Sequence, residues 1–135
     1  MKDVNIDNPK EYVVDASFVL NYLFPDEKDR NIDLMFSRFE KNEIVFLSSY
    51  LLSFEIINGL RSAIVQKRQG AKVAEVLVDS FLESGIILLE INEKEVLKLA
   101  LEKSITTYDA SYVWLAKNKR VKLLTLDENL QKISK

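Results

Sequence analysis

Four short, nearly all-apolar runs punctuate this chain: Tyr12–Val14, Ile44–Leu47, Ile86–Leu89 and Val121–Thr125. Each is too short for a helix, and the segments between them carry apolar residues at helical spacing. Strands that are apolar throughout, rather than on alternate residues, are buried on both faces. Linked through helices, such strands form a parallel sheet covered on both sides. The spacing predicts helices over 17–24, 28–41, 50–69, 71–83, 93–103, 106–117 and 128–133. Pro25 stops the first, and Ile32, Met35, Phe36 and Phe39 give the second its apolar face. Ser48 or Ser49 caps the third and Gly70 ends it. The expected fold class is α/β, with three layers, in one domain over residues 1–135. Residues 1–10 alone read as a loose terminus.

Four acids interrupt this apolar pattern. Asp15 closes the first strand, Glu55 lies in Leu51–Ile57, Asp109 opens the stretch to Ala116, and Asp127 follows the last strand. An ionised carboxylate among apolar neighbours must be paired, hydrogen-bonded, metal-bound or placed at an element's end. Each has an ordinary explanation. Asp15 and Asp127 can cap the helices behind them. Asp109 stands at capping-box spacing from Thr106. Glu55 can pair with Arg61 or another base. In a parallel sheet, however, all strands end at one edge and the helices that follow start there. Asp15, Glu55 and Asp127 then converge by topology, and Asp109 joins them if its helix starts at the same edge. Four converging carboxylates form a negative, oxygen-rich pocket suited to a hard divalent cation.

The composition narrows the chemistry. The chain has no histidine and no cysteine, which excludes catalytic triads, Cys–His pairs and thiolate or imidazole zinc sites. Hydrolysis would rest on carboxylates, with a metal ion or a Lys, Tyr, Ser or Thr assisting. Lack of cysteine and of any apolar run of about 20 residues points to a cytoplasmic protein with no membrane role. The net charge is −2, yet two stretches hold no acid. Arg61, Lys67, Arg68 and Lys72 fall in 56–74, and Lys117, Lys119, Arg120 and Lys122 in 110–126. Either these are solvated helix faces or they contact phosphates, with Lys67, Arg68, Lys117, Lys119 and Arg120 as the candidates for RNA.

The motifs Val13-Val14-Asp15-Ala16-Ser17, Glu55-Ile56-Ile57-Asn58-Gly59-Leu60, Thr107-Tyr108-Asp109-Ala110-Ser111-Tyr112 and Leu123-Leu124-Thr125-Leu126-Asp127 resemble those of PIN-domain ribonucleases. The likeness is nearest to VapC-type toxins of toxin–antitoxin pairs and runs over about residues 12–130. The resemblance implies a PIN-like three-layer fold, its short parallel sheet of four strands, or five with an added edge strand. It implies Asp15, Glu55, Asp109 and Asp127 as catalytic and metal-binding acids, Asp127 being the more variable. Ser17 and Thr125 would be polar supports beside them. It further implies RNA cleavage with Mg²⁺ or Mn²⁺, a homodimer and a small antitoxin partner. The apolar Leu126 departs from the small or polar residue common before the last acid.

A competing reading is a catalytically silent PIN-like scaffold that binds RNA or protein. Receiver domains and haloacid-type phosphatases fit poorly, because Asp15 is followed by Ala16 and Ser17 rather than by a second acid.

Overall fold

The computed structural model describes residues 9–135. In chain order the elements are β1 (Lys10–Val14), α1 (Ala16–Leu23), α2 (Arg30–Glu40), β2 (Ile44–Ser49), α3 (Leu52–Val65) and α4 (Ala71–Leu82). Then follow β3 (Ile87–Leu89), α5 (Glu93–Lys103), α6 (Thr107–Lys119), β4 (Lys122–Leu124) and α7 (Glu128–Ile133). The α/β class and the four-stranded parallel sheet are as the apolar runs predict, in the order β3-β2-β1-β4. β1 is central, with Val13 beside Leu47 on one side and Leu123 on the other. The chain steps outward from β1 to β2 and β3, then returns to place β4 on the far side of β1. That reversal opens a crevice at the carboxyl ends of β1 and β4, where sheets of this kind take ligands.

The core is built from strand residues buried on both faces, as a covered sheet requires. Val13, Val14 and Phe46 are fully enclosed, α6 packs Val113 onto the sheet, and Ile56 of α3 is buried in the same core. An aromatic cluster fastens α1 and α2 to β2. The rings of Phe39 and Phe46 stack at 4.5 Å, Phe36 meets Phe46 edge-on at 5.0 Å, and Tyr22 stacks on Phe36 at 3.9 Å. Geometries of this kind add about 0.5–1.5 kcal/mol per pair beyond burial.

Several boundaries differ from expectation. β1 begins at Lys10, which pairs with Ile44, so that residue is not part of a loose terminus; residues 1–8 lie outside the described residues. The third helix starts at Leu52 rather than Tyr50, because the Ser49 hydroxyl accepts the Leu51 N–H and holds a turn there. It ends at Val65, well before Gln69. Lys67 adopts φ 60 and the chain turns back, Arg68 N–H bonding the Ala63 carbonyl at 2.8 Å. Gly70 therefore does not stop that helix but precedes α4 as its N-cap. The sixth helix runs on to Lys119, where Arg120 turns left-handed.

Left-handed ends recur. Asn42, Lys67, Ser104 and Arg120 all have φ between 55 and 62 directly after helices or one residue beyond. The left-handed conformation costs a non-glycine residue about 1–2 kcal/mol, part of which glycine's greater unfolded-state freedom offsets. Substituting exposed Ser104 with glycine is therefore expected to stabilise the fold by about 0.5–1 kcal/mol, read as a higher urea midpoint with an unchanged slope.

Candidate active site

Asp15 is the acid most tightly built into the structure. It is 4% exposed, and its carboxylate is enclosed by donors. Oδ1 accepts the Ser17 hydroxyl at 2.7 Å and the Phe18 N–H at 3.0 Å, while Oδ2 accepts the Thr125 hydroxyl. It is thus a helix cap and a site residue at once, because capping α1 requires it to sit at the mouth of the crevice. Ser17 and Thr125 give their protons to Asp15 and use their lone pairs to accept the N–H groups of Leu126 and Asp127, at 3.0 and 3.1 Å. This relay ties the end of β1 to the end of β4. Asp127 in turn caps α7, accepting the Leu130 N–H at 3.1 Å.

Glu55 lies in the first turn of α3, and its partner is not a base. The Tyr112 hydroxyl donates to Oε1 at 2.5 Å, in place of the pairing with Arg61 or another base that the sequence also allows. Asp109 lies in the first turn of α6, where its N–H bonds the Thr106 hydroxyl at 3.0 Å, one half of the expected capping box. Because α6 starts at the same edge, all four acids line a single cavity of about 270 Å³. Ser17, Asn58, Gly59 and Tyr112 complete much of its wall, and among the described residues no lysine or arginine lines it.

Gly59 lets α1 and α3 approach closely. A Cβ there would lie 2.5 Å from a Leu20 methyl, and Leu20 also lines the cavity.

Burial raises the Asp15 pKa, against the lowering pull of its three hydrogen bonds and with added repulsion from Asp127. Burial also raises Glu55, where Tyr112 opposes and Asp109 and Asp15 reinforce the shift. Asp109 is raised by burial and then by the charges of Asp127 and Asp15. Tyr112 is driven up by burial and by its bond to Glu55, so it stays a proton donor. Crowded like charges of this kind call for a cation. The donors on offer are all hard oxygens, which fits Mg²⁺ or Mn²⁺ and gives a soft metal no ligand. Among the described residues no three acidic groups are gathered tightly enough to form a ready-made ion cage. Asp15 and Glu55 instead hold part of their lone-pair capacity in internal hydrogen bonds.

The basic residues are placed elsewhere. Lys117, Lys119 and Arg120 end α6, whose first turn holds Asp109; Arg120 is about 16 Å further along the axis. Lys67 lies just past α3, whose end at Val65 is about 15 Å along the axis from Glu55. Arg68 is held at 2.6 Å by Glu27 and at 3.2 Å by Asp26, and lies over the Phe24 ring. Neither group flanks the cavity. Tyr112, Asn58 and Gly59 had no assigned role in the sequence reading, though Asn58 and Tyr112 each stand three residues after a site acid, on the same helix face.

The sequence matches the family described as PIN domain over residues 12–135. It is 28% identical over 118 residues to ribonuclease VapC3 of Pyrobaculum aerophilum, covering 87% of this chain and 90% of that protein. A crystal structure of a Pyrobaculum aerophilum protein superposes with a TM-score of 0.73 at 25% identity, over 99% of this chain and 88% of the other. That of Mycobacterium tuberculosis VapC20, described as a sarcin-ricin loop cleaving toxin, gives 0.64 at 15% identity, over 90% and 93%. At that identity the likeness speaks for the fold.

The raised carboxyls make a signed prediction. A group whose pKa is raised by folding contributes stability that is present below its unfolded value, near 4, and is lost as pH rises through the folded value. Without metal, Asp109→Asn should therefore melt higher than wild type at pH 7.5, by roughly 2–5 °C. The gap should close towards pH 4, and saturating Mn²⁺ should narrow or reverse it. Differential scanning calorimetry in EDTA and in Mn²⁺ reads all three outcomes.

Proposed function

The chain belongs to the PIN-domain family, and from that membership we propose that it is a metal-dependent endoribonuclease, acting as the toxin of a toxin–antitoxin pair. The observation that carries this reading is the single cavity lined by Asp15, Glu55, Asp109 and Asp127. The VapC3 relative, by its name a ribonuclease, supports RNA as the substrate class.

Asp15, Asp109 and Asp127 would hold Mg²⁺ or Mn²⁺, with Glu55 beside them. When bound, the ion neutralises charge on the phosphoryl oxygens and acidifies water at the site. The chain's own groups orient the reaction. The donors around Asp15 fix the plane of its carboxylate, and the Tyr112 hydroxyl pins Glu55 Oε1, leaving Oε2 to align the attacking water and accept its proton. Asn58 offers a neutral amide at the wall, a donor that does not add to the repulsion. Without histidine, proton transfer at this site falls to carboxylates and to water. As in the family it resembles, the chain would pair as a homodimer and be silenced by a small antitoxin. Among the described residues no helix is long and apolar enough to cross a membrane.

The competing scaffold reading retains the fold without the cleavage. The two separate in one assay of mixed RNAs with Mg²⁺, Mn²⁺ or EDTA. Wild type is expected to cut only with metal. Asp15→Asn and Asp109→Asn are expected to lose at least about 100-fold in kcat/KM, the scale of removing a group that acts on the transition state. Asp127→Asn is expected to lose less. Equal cutting by wild type and the variants would refute the assigned site, and RNA binding without cleavage would favour the scaffold.

A further inference from the structure

β4 stands at one edge of the sheet, bonded to β1 alone among the described strands. In a parallel ladder, alternate residues of a strand turn their backbone groups to opposite sides. The Leu124 carbonyl accepts the Asp15 N–H, so Lys122 and Leu124 face β1. Leu123, between them, turns its N–H and C=O outward. Open edges of this kind are templates for a further strand. A trough of about 540 Å³ runs along this one, lined by residues 122–126 and by Gln131, Ser134 and Lys135.

The side toward α2 is hollow as well. Tyr12 pairs with Lys122, and their side chains share one face of the sheet with Lys10 and Leu124. Between that face and α2 lies a slot of about 340 Å³, walled by Phe18, Ile32, Met35 and Leu124. Exposed Lys10 and Lys122 also line it. Beneath the strands a third hollow adds Arg120 to the same two lysines. Of the described residues lining the three, Glu11 alone is acidic. A chain of net charge −2 thus gathers Lys10, Arg120, Lys122 and Lys135 around one apolar strand edge.

We infer that this edge binds an extended, acidic and apolar segment of a partner protein, which adds a fifth strand beside β4. The segment's backbone meets the Leu123 N–H and C=O, and an apolar side chain on its α2 side fills the slot. Its carboxylates meet Lys10, Lys122 and Lys135. Charge selects this occupant. A second copy pairing edge to edge would bring Lys122 against its own kind, which is unfavourable. RNA phosphates would use the cations but leave the open backbone groups and the apolar slot unfilled. Such a site is independent of the ribonuclease reading: none of the side chains lining these hollows lines the acid cavity.

The probe is a capped peptide of about seven residues, an ordinary strand length, alternating glutamate with valine or isoleucine. It is titrated into the full-length protein and followed by amide-resolved NMR. Bound peptide is expected to slow solvent exchange of the Leu123 amide at least about tenfold. Lys10→Glu and Lys122→Glu are each expected to weaken binding about 2- to 30-fold, with unmoved melting temperatures because both side chains are exposed. A fully N-methylated peptide keeps the side chains but cannot pair along a strand, and is expected to bind at least about tenfold more weakly. No binding at about 1 mM peptide, equal binding of the methylated form, or no loss in either lysine variant would overturn the added strand and leave the ribonuclease reading intact. Protection of Leu123 by a short RNA, or by raised protein concentration alone, would overturn it in favour of nucleic acid or a second copy. Tighter peptide binding by Ile6→Lys would overturn it in favour of the chain's own residues 1–8.

Discussion

A carboxylate buried at the end of a central strand must be met by donors, and much of this structure follows from how Asp15 is met. Its backbone N–H bonds Leu124 of β4 at 3.3 Å, its Oδ1 starts α1, and its Oδ2 takes the Thr125 hydroxyl. One residue thus joins β1, β4 and α1 at the point where the sheet reverses its order. Thr125 and Ser17 pass the constraint on to Leu126 and Asp127. The support of the sheet's edge and the support of the site are the same set of hydrogen bonds.

That arrangement sets stability against function. Burial and mutual repulsion raise the pKa values of Asp15, Glu55 and Asp109 together. A sheet edge of aliphatic or amide groups would relieve this strain, and would have no affinity for a cation. The neutral donors Ser17, Thr125 and Tyr112 moderate the repulsion without cancelling it. A lysine in their place would neutralise the cavity and compete with the ion.

The strands and the edge were legible in the sequence because both depend on local pattern. Apolar runs define strands, parallel topology aligns their ends, and the residue after a strand caps the next helix. What was not legible depends on contacts between distant segments. Glu55 and Tyr112 are 57 positions apart, and no periodicity pairs a glutamate on one helix with a tyrosine on another. Two helix ends were missed for a different reason. Glycine is the usual signal for a left-handed stop, but α3 and α6 end beside the left-handed Lys67 and Arg120. The basic runs could not be placed from the sequence, because charge in sequence carries no direction. Lys117 and Lys119 stand in the last turn of α6, where they complement the helix dipole, and Arg68 serves two local carboxylates.

The outer helix α5 has a separate character. α5 keeps a small cluster of its own, in which Val96 and Ala100 pack with Ala110 of α6. Trp114, the chain's one tryptophan, joins that cluster and donates its indole N–H to Glu95 at 2.8 Å. The indole therefore watches the α5–α6 seam rather than the aromatic cluster between α1, α2 and β2. Its emission would register the loosening of that seam as a subglobal opening, a cooperative unit distinct from the sheet. Because α6 also presents Asp109, the same opening would strip the packing from behind one of the four acids while α6 stayed on the sheet.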